Sequence, residues 1–129
     1  MDKLLEEQLV RKFPTFFRDV YGDPCKTCMA WGCACDNGWF GIIDETCKKI
    51  KKITDSNPQF DFHFLQIKEK FGGLRLYCTD GNSEIGSLIQ KAEDESYKTC
   101  EECGTKKNVT SEGSWIRTLC TSCRKSLTK

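Results

Sequence analysis

The spacing of apolar residues predicts three helices in the first part of the chain. One helix is predicted over residues 2–13, a second over 39–53 and a third over 84–97. In each segment apolar side chains recur at steps of three and four residues, which places them along one helical face. These side chains are Leu5, Leu9 and Phe13 in the first, Trp39, Ile43, Ile50 and Ile53 in the second, and Ile85, Leu88, Ile89 and Ala92 in the third.

A period of two residues predicts two strands between the second and third helices. Phenylalanines alternate with polar residues across 60–64, and apolar residues occupy alternate positions across 74–78. The apolar residues change parity at 65–67, which predicts a β-bulge or burial on both faces. Residues 68–73 then connect the two strands as a hairpin. The chain is therefore predicted to have an α+β fold, with a small antiparallel hairpin or sheet and about three helices.

Four cysteines near the end of the sequence form the clearest chemical pattern. Cys100 and Cys103 form one Cys-x-x-Cys pair, and Cys120 and Cys123 form another after a gap of sixteen residues. A two-residue spacer lets a tight turn direct two sulfurs at one ion about 2.3 Å away, and this spacing of pairs is typical of zinc. Four protein ligands fill a tetrahedral ion, so a structural zinc site is predicted rather than a catalytic one. The alternatives are a redox dithiol and a chance arrangement.

The segment that contains these cysteines has few large apolar residues, so we expect its shape to depend on the metal. Residues 99–129 are predicted as a four-cysteine zinc-ribbon element, and residues 1–98 as the α+β core. Within the element, 106–109 and 115–119 are predicted to form a hairpin, and a terminal helix is predicted to begin near Arg124. This pattern resembles a zinc ribbon or a treble-clef knuckle.

A loop over residues 22–38 contains four more cysteines among glycine, proline and asparagine. Cys25, Cys28, Cys33 and Cys35 can supply a second four-sulfur zinc site. The alternative is that some or all of them are ordinary thiols, because one Cys-x-x-Cys followed by one Cys-x-Cys is a less usual ligand spacing. One zinc ion is therefore expected, and a second stays open.

Catalysis by a cysteine is not expected. A cysteine nucleophile needs a nearby base, and His63 is the only histidine in the sequence. Cys47 lies on the apolar face of the second predicted helix, and Cys78 shares parity with the apolar residues of its strand. Both are predicted to be small buried hydrophobes. We therefore predict that the chain is not an enzyme.

The connection between the predicted strands combines basic, aromatic and glycine residues. Such a tip can hold an anion or stack on a nucleobase, and it can equally be an ordinary hairpin end with the phenylalanine folded under. Trp39, at the start of the second predicted helix, offers a further surface for stacking. The candidate residues of the hairpin are Lys68, Lys70, Phe71, Gly72, Gly73 and Arg75.

The overall charge gives no general attraction to anionic partners. The chain has 20 basic and 19 acidic residues and a net charge of +1, so binding to nucleic acid must come from local patches. No apolar run approaches the ~20 residues that span a bilayer, and the first residues lack the apolar stretch of a signal peptide. A cytoplasmic protein without membrane binding is expected. In that reducing compartment Cys-x-x-Cys pairs are more often metal ligands than disulfides.

Several segments form a recognisable combination, namely residues 29–32, 35–40 and 66–75, the pair Ala92-Glu93 and the C-terminal cysteine pairs. Together they resemble a family of small proteins encoded by tailed bacteriophages and prophages. The shared features are a Gly-Trp helix start, a Lys-Glu-Lys-Phe-Gly-Gly-Leu-Arg hairpin and a C-terminal zinc-ribbon knuckle. The likeness covers residues 28–123.

The resemblance implies motif residues rather than an activity. It implies a protein made in an infected bacterial cytoplasm, where small accessory proteins commonly bind and block host or defence components. The motif positions, beside the C-terminal cysteines, are Cys35, Trp39, Lys70, Phe71, Gly72, Gly73 and Arg75.

Three functional hypotheses follow from the sequence. The leading one is a non-catalytic, zinc-stapled module that binds and inhibits a host or anti-phage defence protein, because the sequence contains no acid–base or open-metal constellation. The second is nucleic-acid binding through the hairpin tip and the basic zinc-ribbon element. The third is a nucleotide-signal sponge, in which Gly72, Gly73 and Arg75 hold a phosphate while Phe71 or Trp39 stacks on the base.

Overall fold

The computed structural model describes residues 1–79 and 81–127, and this part of the chain has an α+β fold with a C-terminal cysteine cluster. Residues 128 and 129 of the predicted zinc-ribbon element lie outside the described residues. The helices are α1 (Lys3–Lys12), α2 (Phe40–Ser56), α3 (Ser83–Ser96) and α4 (Thr121–Leu127). The strands are β1 (Cys33–Ala34), β2 (Phe64–Lys70), β3 (Gly73–Cys78), β4 (Val109–Glu112) and β5 (Arg117–Cys120).

The three helices predicted from apolar spacing are confirmed as α1, α2 and α3. Local signals explain their ends: the Asn82 side chain accepts a 2.9 Å hydrogen bond from the Ile85 N–H and caps α3. A 3-10 turn, Asn37–Trp39, precedes α2, so the helix begins just after the predicted position. Pro58 follows its last residues and disfavours helical backbone at the residue before it.

The main sheet has the order β1-β2-β3, with β2 and β3 antiparallel. The register shifts between Phe64 and Gln66, which confirms the bulge predicted from the change of parity. The connection between β2 and β3 is shorter than the predicted residues 68–73. Lys70 pairs with Gly73, so only Phe71 and Gly72 form the turn. Both have positive φ, as a type I′ hairpin turn requires.

The observed strands differ from the predicted ones in two places. Residues 60–63 do not form a strand; the Phe62 ring instead packs edge-on against Phe16, with ring centroids 5.0 Å apart, in an aromatic core. In addition, no sequence pattern indicated β1, which pairs in parallel with β2 at Cys33 and Ile67. A strand of two residues is too short for a period of two to be visible.

Buried polar contacts join the C-terminal element to the rest of the fold. The Trp39 indole N–H donates to the Thr99 carbonyl at 3.0 Å, and the Gly38 N–H donates to the Glu101 carbonyl at 2.6 Å. A Cβ added to Gly38 would overlap the carbonyl oxygens of Cys100 and Glu101, so only glycine permits this approach. Within the described residues, no helix combines the length and the apolar character needed to cross a bilayer.

Candidate metal centre

Two short local structures present the four C-terminal cysteines. Cys100 and Cys103 lie in a tight turn after α3, closed by a 2.9 Å hydrogen bond from the Gly104 N–H to the Cys100 carbonyl. Gly104 has a φ of +83°, the left-handed conformation that such turns need. Cys120 ends β5 and Cys123 lies in the first turn of α4. The turn, the β4–β5 hairpin and α4 follow one another in that order along the chain.

The four sulfurs have the spacing of a metal site. All four Sγ atoms lie within 4.8 Å of one another, and those of Cys103 and Cys120 are 3.8 Å apart. Tetrahedral ligands at about 2.3 Å from a zinc ion are about 3.8 Å from each other. A disulfide would need about 2.05 Å, and all four cysteines are free. The group can therefore hold a metal ion without a large rearrangement.

Backbone donors and neighbouring sulfurs act in opposite directions on these thiols. Burial raises the pKa of Cys100, but backbone N–H groups, including that of Cys103 at 3.5 Å, outweigh it and lower the pKa to about 7. At Cys123, burial and the other three sulfurs raise the pKa. One thiolate therefore opposes ionisation of its neighbours. A divalent cation at the centre would remove this repulsion, which explains why such groups bind metals.

The C-terminal element has a small apolar core of its own. Its buried apolar residues are Cys100, Leu119 and Cys120, with Val109 and Cys123 packed against them. Three of these five side chains belong to the cysteine group, so ligands and core are largely the same residues. A metal ion bound by these cysteines would therefore be the main local constraint on β4, β5 and α4.

The N-terminal cysteines have a different arrangement. Cys25 and Cys28 are exposed, whereas Cys33 and Cys35 are buried in the main core. Across residues 1–79 and 81–127 the C-terminal group is the one set of three or more candidate ligands that lie close together. Burial raises the pKa of Cys33 to about 12 and that of Cys35 further, which favours protonated thiols. The second zinc site stays a prediction that this geometry does not support.

The two glycines of the hairpin contact other residues of the chain and do not form a loop that is open to an anion. The Gly72 N–H donates to the Glu69 carboxylate at 2.7 Å, and the Gly72 carbonyl accepts from the Thr118 hydroxyl at 2.6 Å. A Cβ on Gly73 would overlap the Tyr97 ring hydroxyl. The φ of +84° at Gly72 and the Tyr97 hydroxyl beside Gly73 explain why two glycines occur together, without any need for a bound phosphate.

The Arg75 and Trp39 side chains are likewise occupied within the fold. The Arg75 guanidinium lies 3.1 Å from both the Tyr97 hydroxyl and the Glu93 carboxylate. Trp39 is fully buried and cannot stack on a ligand in this conformation. The geometry therefore does not support Arg75 as a phosphate ligand or Trp39 as a stacking surface, because neither side chain is available.

Phe71 is exposed at the hairpin tip and faces a second exposed aromatic residue that sequence reasoning missed. The rings of Phe71 and Trp115 are 68% and 81% exposed, respectively. Together with Ile116 they line a groove of about 320 Å³, which we call the aromatic groove. Lys70 borders it, with its ammonium 5.7 Å from the Phe71 ring centroid, and Lys68 lies further along β2. The sequence does contain a signal that Trp115 is exposed. The residue lies two positions after Gly113 in a short hairpin turn, which is too small to bury an indole.

A polar pocket adjoins the aromatic groove. Three carboxylates, one guanidinium and the N-terminal ammonium line it, and we call it the acidic pocket. Glu69 and Trp115 line both cavities, so the two are adjacent. Burial raises the pKa of Glu101, which is 4% exposed. The charged groups of the pocket are the side chains of Asp36, Glu69, Glu101 and Arg117 and the N-terminal ammonium of Met1.

Comparison with known proteins assigns no relative: no protein-family model, no curated protein and no solved structure matches this chain. The resemblance to phage and prophage proteins therefore stays a prediction.

Proposed function

We propose that this chain is a non-catalytic zinc-binding accessory protein of a bacteriophage that binds, and thereby inhibits, a host or anti-phage defence protein in the bacterial cytoplasm. The observation that carries the proposal is the exposure of Phe71 and Trp115 on two neighbouring turns. Large aromatic side chains dominate the binding energy of protein interfaces, and their exposure costs solubility unless a partner covers them.

The two turns are held together, which prepares the surface for binding. The Thr118 hydroxyl, next to the turn of β4 and β5, bonds to the Gly72 carbonyl in the turn of β2 and β3. A zinc ion in the four-cysteine group would fix the β4–β5 hairpin from its other end. A surface that is already ordered loses less entropy on binding, which raises affinity. Zinc thus serves recognition without taking part in chemistry.

The chemistry of the cysteines agrees with a binding role. Four sulfurs fill a tetrahedral ion and leave no position for a substrate or an activated water. The described thiols outside this group that are buried have raised pKa values, which disfavours a nucleophilic thiolate.

The test is capture of a partner with matched variants. Zinc-loaded protein immobilised in lysate of a phage-sensitive bacterium should retain a specific protein, and Trp115→Ala or Phe71→Ala should abolish its retention. Trp31→Ala is the control, because Trp31 is 73% exposed but lies outside the aromatic groove. Retention that is equal for all variants, or no retained protein, would contradict the proposal.

A second candidate function is nucleic-acid or nucleotide binding, favoured by the ammonium of Lys70 over the Phe71 ring beside an exposed indole. Aromatic side chains next to basic residues are the usual platform for stacked bases. This function predicts affinity for a short single-stranded oligonucleotide that falls steeply between low and physiological salt and weakens in Lys70→Ala. An absence of binding at low salt would remove this candidate.

A further inference from the structure

We propose that the acidic pocket and the aromatic groove form one recognition site for an arginine side chain in a basic segment of the partner protein. The inference rests on the proposed function and specifies the chemistry of its partner. Trp115 and Glu69 are common to both cavities, so a planar cation stacked on the indole would lie beside the carboxylates.

The first observation in support of the proposal is a buried carboxylate oxygen of the acidic pocket to which no described residue donates a hydrogen bond. Oε1 of Glu101 is fully buried and has no hydrogen-bond partner among the described residues. Its nearest cation, the Arg117 guanidinium, is 3.7 Å away, which is too far for a hydrogen bond. Oε2 of the same side chain is used, because it accepts from the Asp36 N–H at 3.0 Å. Buried polar atoms nearly always form a hydrogen bond, so we expect a bound partner to donate one to this oxygen.

The charge of the acidic pocket indicates that its ligand is a cation and not an anion. The three carboxylates, those of Asp36, Glu69 and Glu101, face two cations. These are the Arg117 guanidinium and the N-terminal ammonium of Met1, which also lines the pocket and donates to the Cys33 carbonyl, so one net negative charge is left. Asp36 and Glu69 each use one carboxylate oxygen internally, in 2.7 Å hydrogen bonds with Arg117 and the Gly72 N–H. The remaining negative charge attracts a cation and repels a phosphate. A nucleic acid would therefore avoid this half of the site.

The indole beside the carboxylates distinguishes arginine from other cations. A guanidinium is planar, stacks on aromatic rings and still donates in its own plane to carboxylates, whereas a lysine ammonium is a compact and strongly hydrated charge. Trp115 supplies the ring, and Glu69 and Glu101 supply acceptors in the same pocket. An apolar neighbour of the arginine in the partner could then enter the groove between Phe71 and Ile116.

The experiment uses the zinc-loaded full chain and a blocked peptide, Gly-Arg-Gly-Arg-Gly, followed by NMR. The arginine peptide should shift the Trp115 indole N–H and the backbone N–H signals of Glu69 and Arg117 with millimolar affinity, and the backbone signals serve for the variant that lacks the indole. A citrulline peptide of equal length should cause no shift, because citrulline is planar but uncharged. Glu101→Gln and Trp115→Ala should each weaken binding about tenfold. Trp31→Ala and Glu102→Gln are the controls. The first removes an exposed ring and the second neutralises an exposed carboxylate, neither of which lines the site, so both should leave affinity unchanged.

Glu69→Gln provides a second test if Glu101→Gln fails to fold, because glutamine can still accept the Gly72 N–H. Several outcomes would overturn the inference: equal binding of the citrulline peptide, no shift from the arginine peptide in the millimolar range, or an oligonucleotide that displaces it. Capture of a lysate protein through Trp115 without any arginine-peptide binding would refute this inference alone. Arginine-peptide binding without a captured protein would instead refute the proposed function.

Discussion

The hydroxyl of Thr118, on β5, donates a 2.6 Å hydrogen bond to the carbonyl oxygen of Gly72, in the turn between β2 and β3. Both partners are away from solvent, since Thr118 and Gly72 are buried. This bond joins the C-terminal element to the β2–β3 hairpin, which contains the Gly-Gly pair of the Lys-Glu-Lys-Phe-Gly-Gly-Leu-Arg motif. It therefore sets the relative position of the exposed rings of Phe71 and Trp115.

Replacing Thr118 with valine should destabilise the protein by about 1–3 kcal/mol. Valine has nearly the same shape but leaves the buried Gly72 carbonyl without a donor. Urea denaturation of the zinc-loaded protein measures the loss. Ser111→Ala is the control, because Ser111 also contacts the Thr118 hydroxyl, at 2.6 Å, while its removal leaves the Gly72 bond in place. An equal effect of both changes would count against the role assigned to the Thr118–Gly72 bond.

Removal of the metal should unfold the C-terminal element while the main core persists. The element has few buried apolar residues besides its ligands, whereas the main core contains the aromatic cluster around Phe62 and Phe64. Hydrogen exchange with and without a strong chelator should show lost protection across β4, β5 and α4 only. Unchanged protection in metal-free protein would contradict this expectation.

Metal counts on single-cysteine variants test the ligand assignment separately. Cys103→Ser should reduce the bound zinc sharply, because it removes one of four ligands from the C-terminal group. Cys25→Ser should leave the zinc content at one ion per chain, because Cys25 is exposed and outside that group. Native mass spectrometry gives the stoichiometry directly. A loss of one ion in Cys25→Ser would instead establish the second site.

Gly38→Ala should displace the C-terminal element from the core. The added Cβ would overlap two backbone carbonyl oxygens, those of Cys100 and Glu101, and backbone cannot move aside as a flexible side chain can. Gly41→Ala is a matched control inside α2, where a Cβ meets nothing within 4 Å. It should stabilise the helix by roughly 0.5–1 kcal/mol. Thermal unfolding compares the two, and equal melting temperatures would refute the close approach.

Asp44→Asn should lower stability at neutral pH but not in acid. Burial raises the pKa of Asp44, but hydrogen bonds from Lys12 at 3.0 Å and Lys48 at 3.2 Å outweigh it, so the pKa is lowered. A lowered pKa means stabilisation that is present above the usual range of aspartate, about 3.9, and is lost as the pH falls through the folded value.

The expected difference at pH 7 is about 1 kcal/mol, since both lysines are half exposed and solvent screens the pairs. In acid below the lowered pKa of Asp44, the variant and the original chain should unfold alike. Asp55→Asn removes an exposed pair with Lys51 and should cost less than about 0.5 kcal/mol at any pH. A gap for Asp44→Asn that persists in acid would contradict the electrostatic explanation.

Local patterns in the sequence determined most of the secondary structure and the metal-binding group. The three helices follow from apolar spacing, and the bulge beside Phe64 follows from a change in parity, because both signals depend on neighbouring residues only. The spacing of Cys100 and Cys103 likewise encodes a tight turn. Each pair is local, and two such pairs are enough to predict a shared ion.

Only the tertiary structure decided which motif residues serve the fold and which face solvent. Gly72 contacts a residue 46 positions away, and the backbone of Asp36 bonds to Glu101 across 65 positions. No period or spacing within a single element records such contacts. The sequence therefore indicated glycines and a basic residue as a candidate ligand site. In the structure Gly72 and Gly73 are buried and Arg75 is paired with Glu93, whereas Trp115 is exposed and lines a pocket with the carboxylates. Burial and charge at a surface result from distant segments meeting, which local pattern alone does not determine.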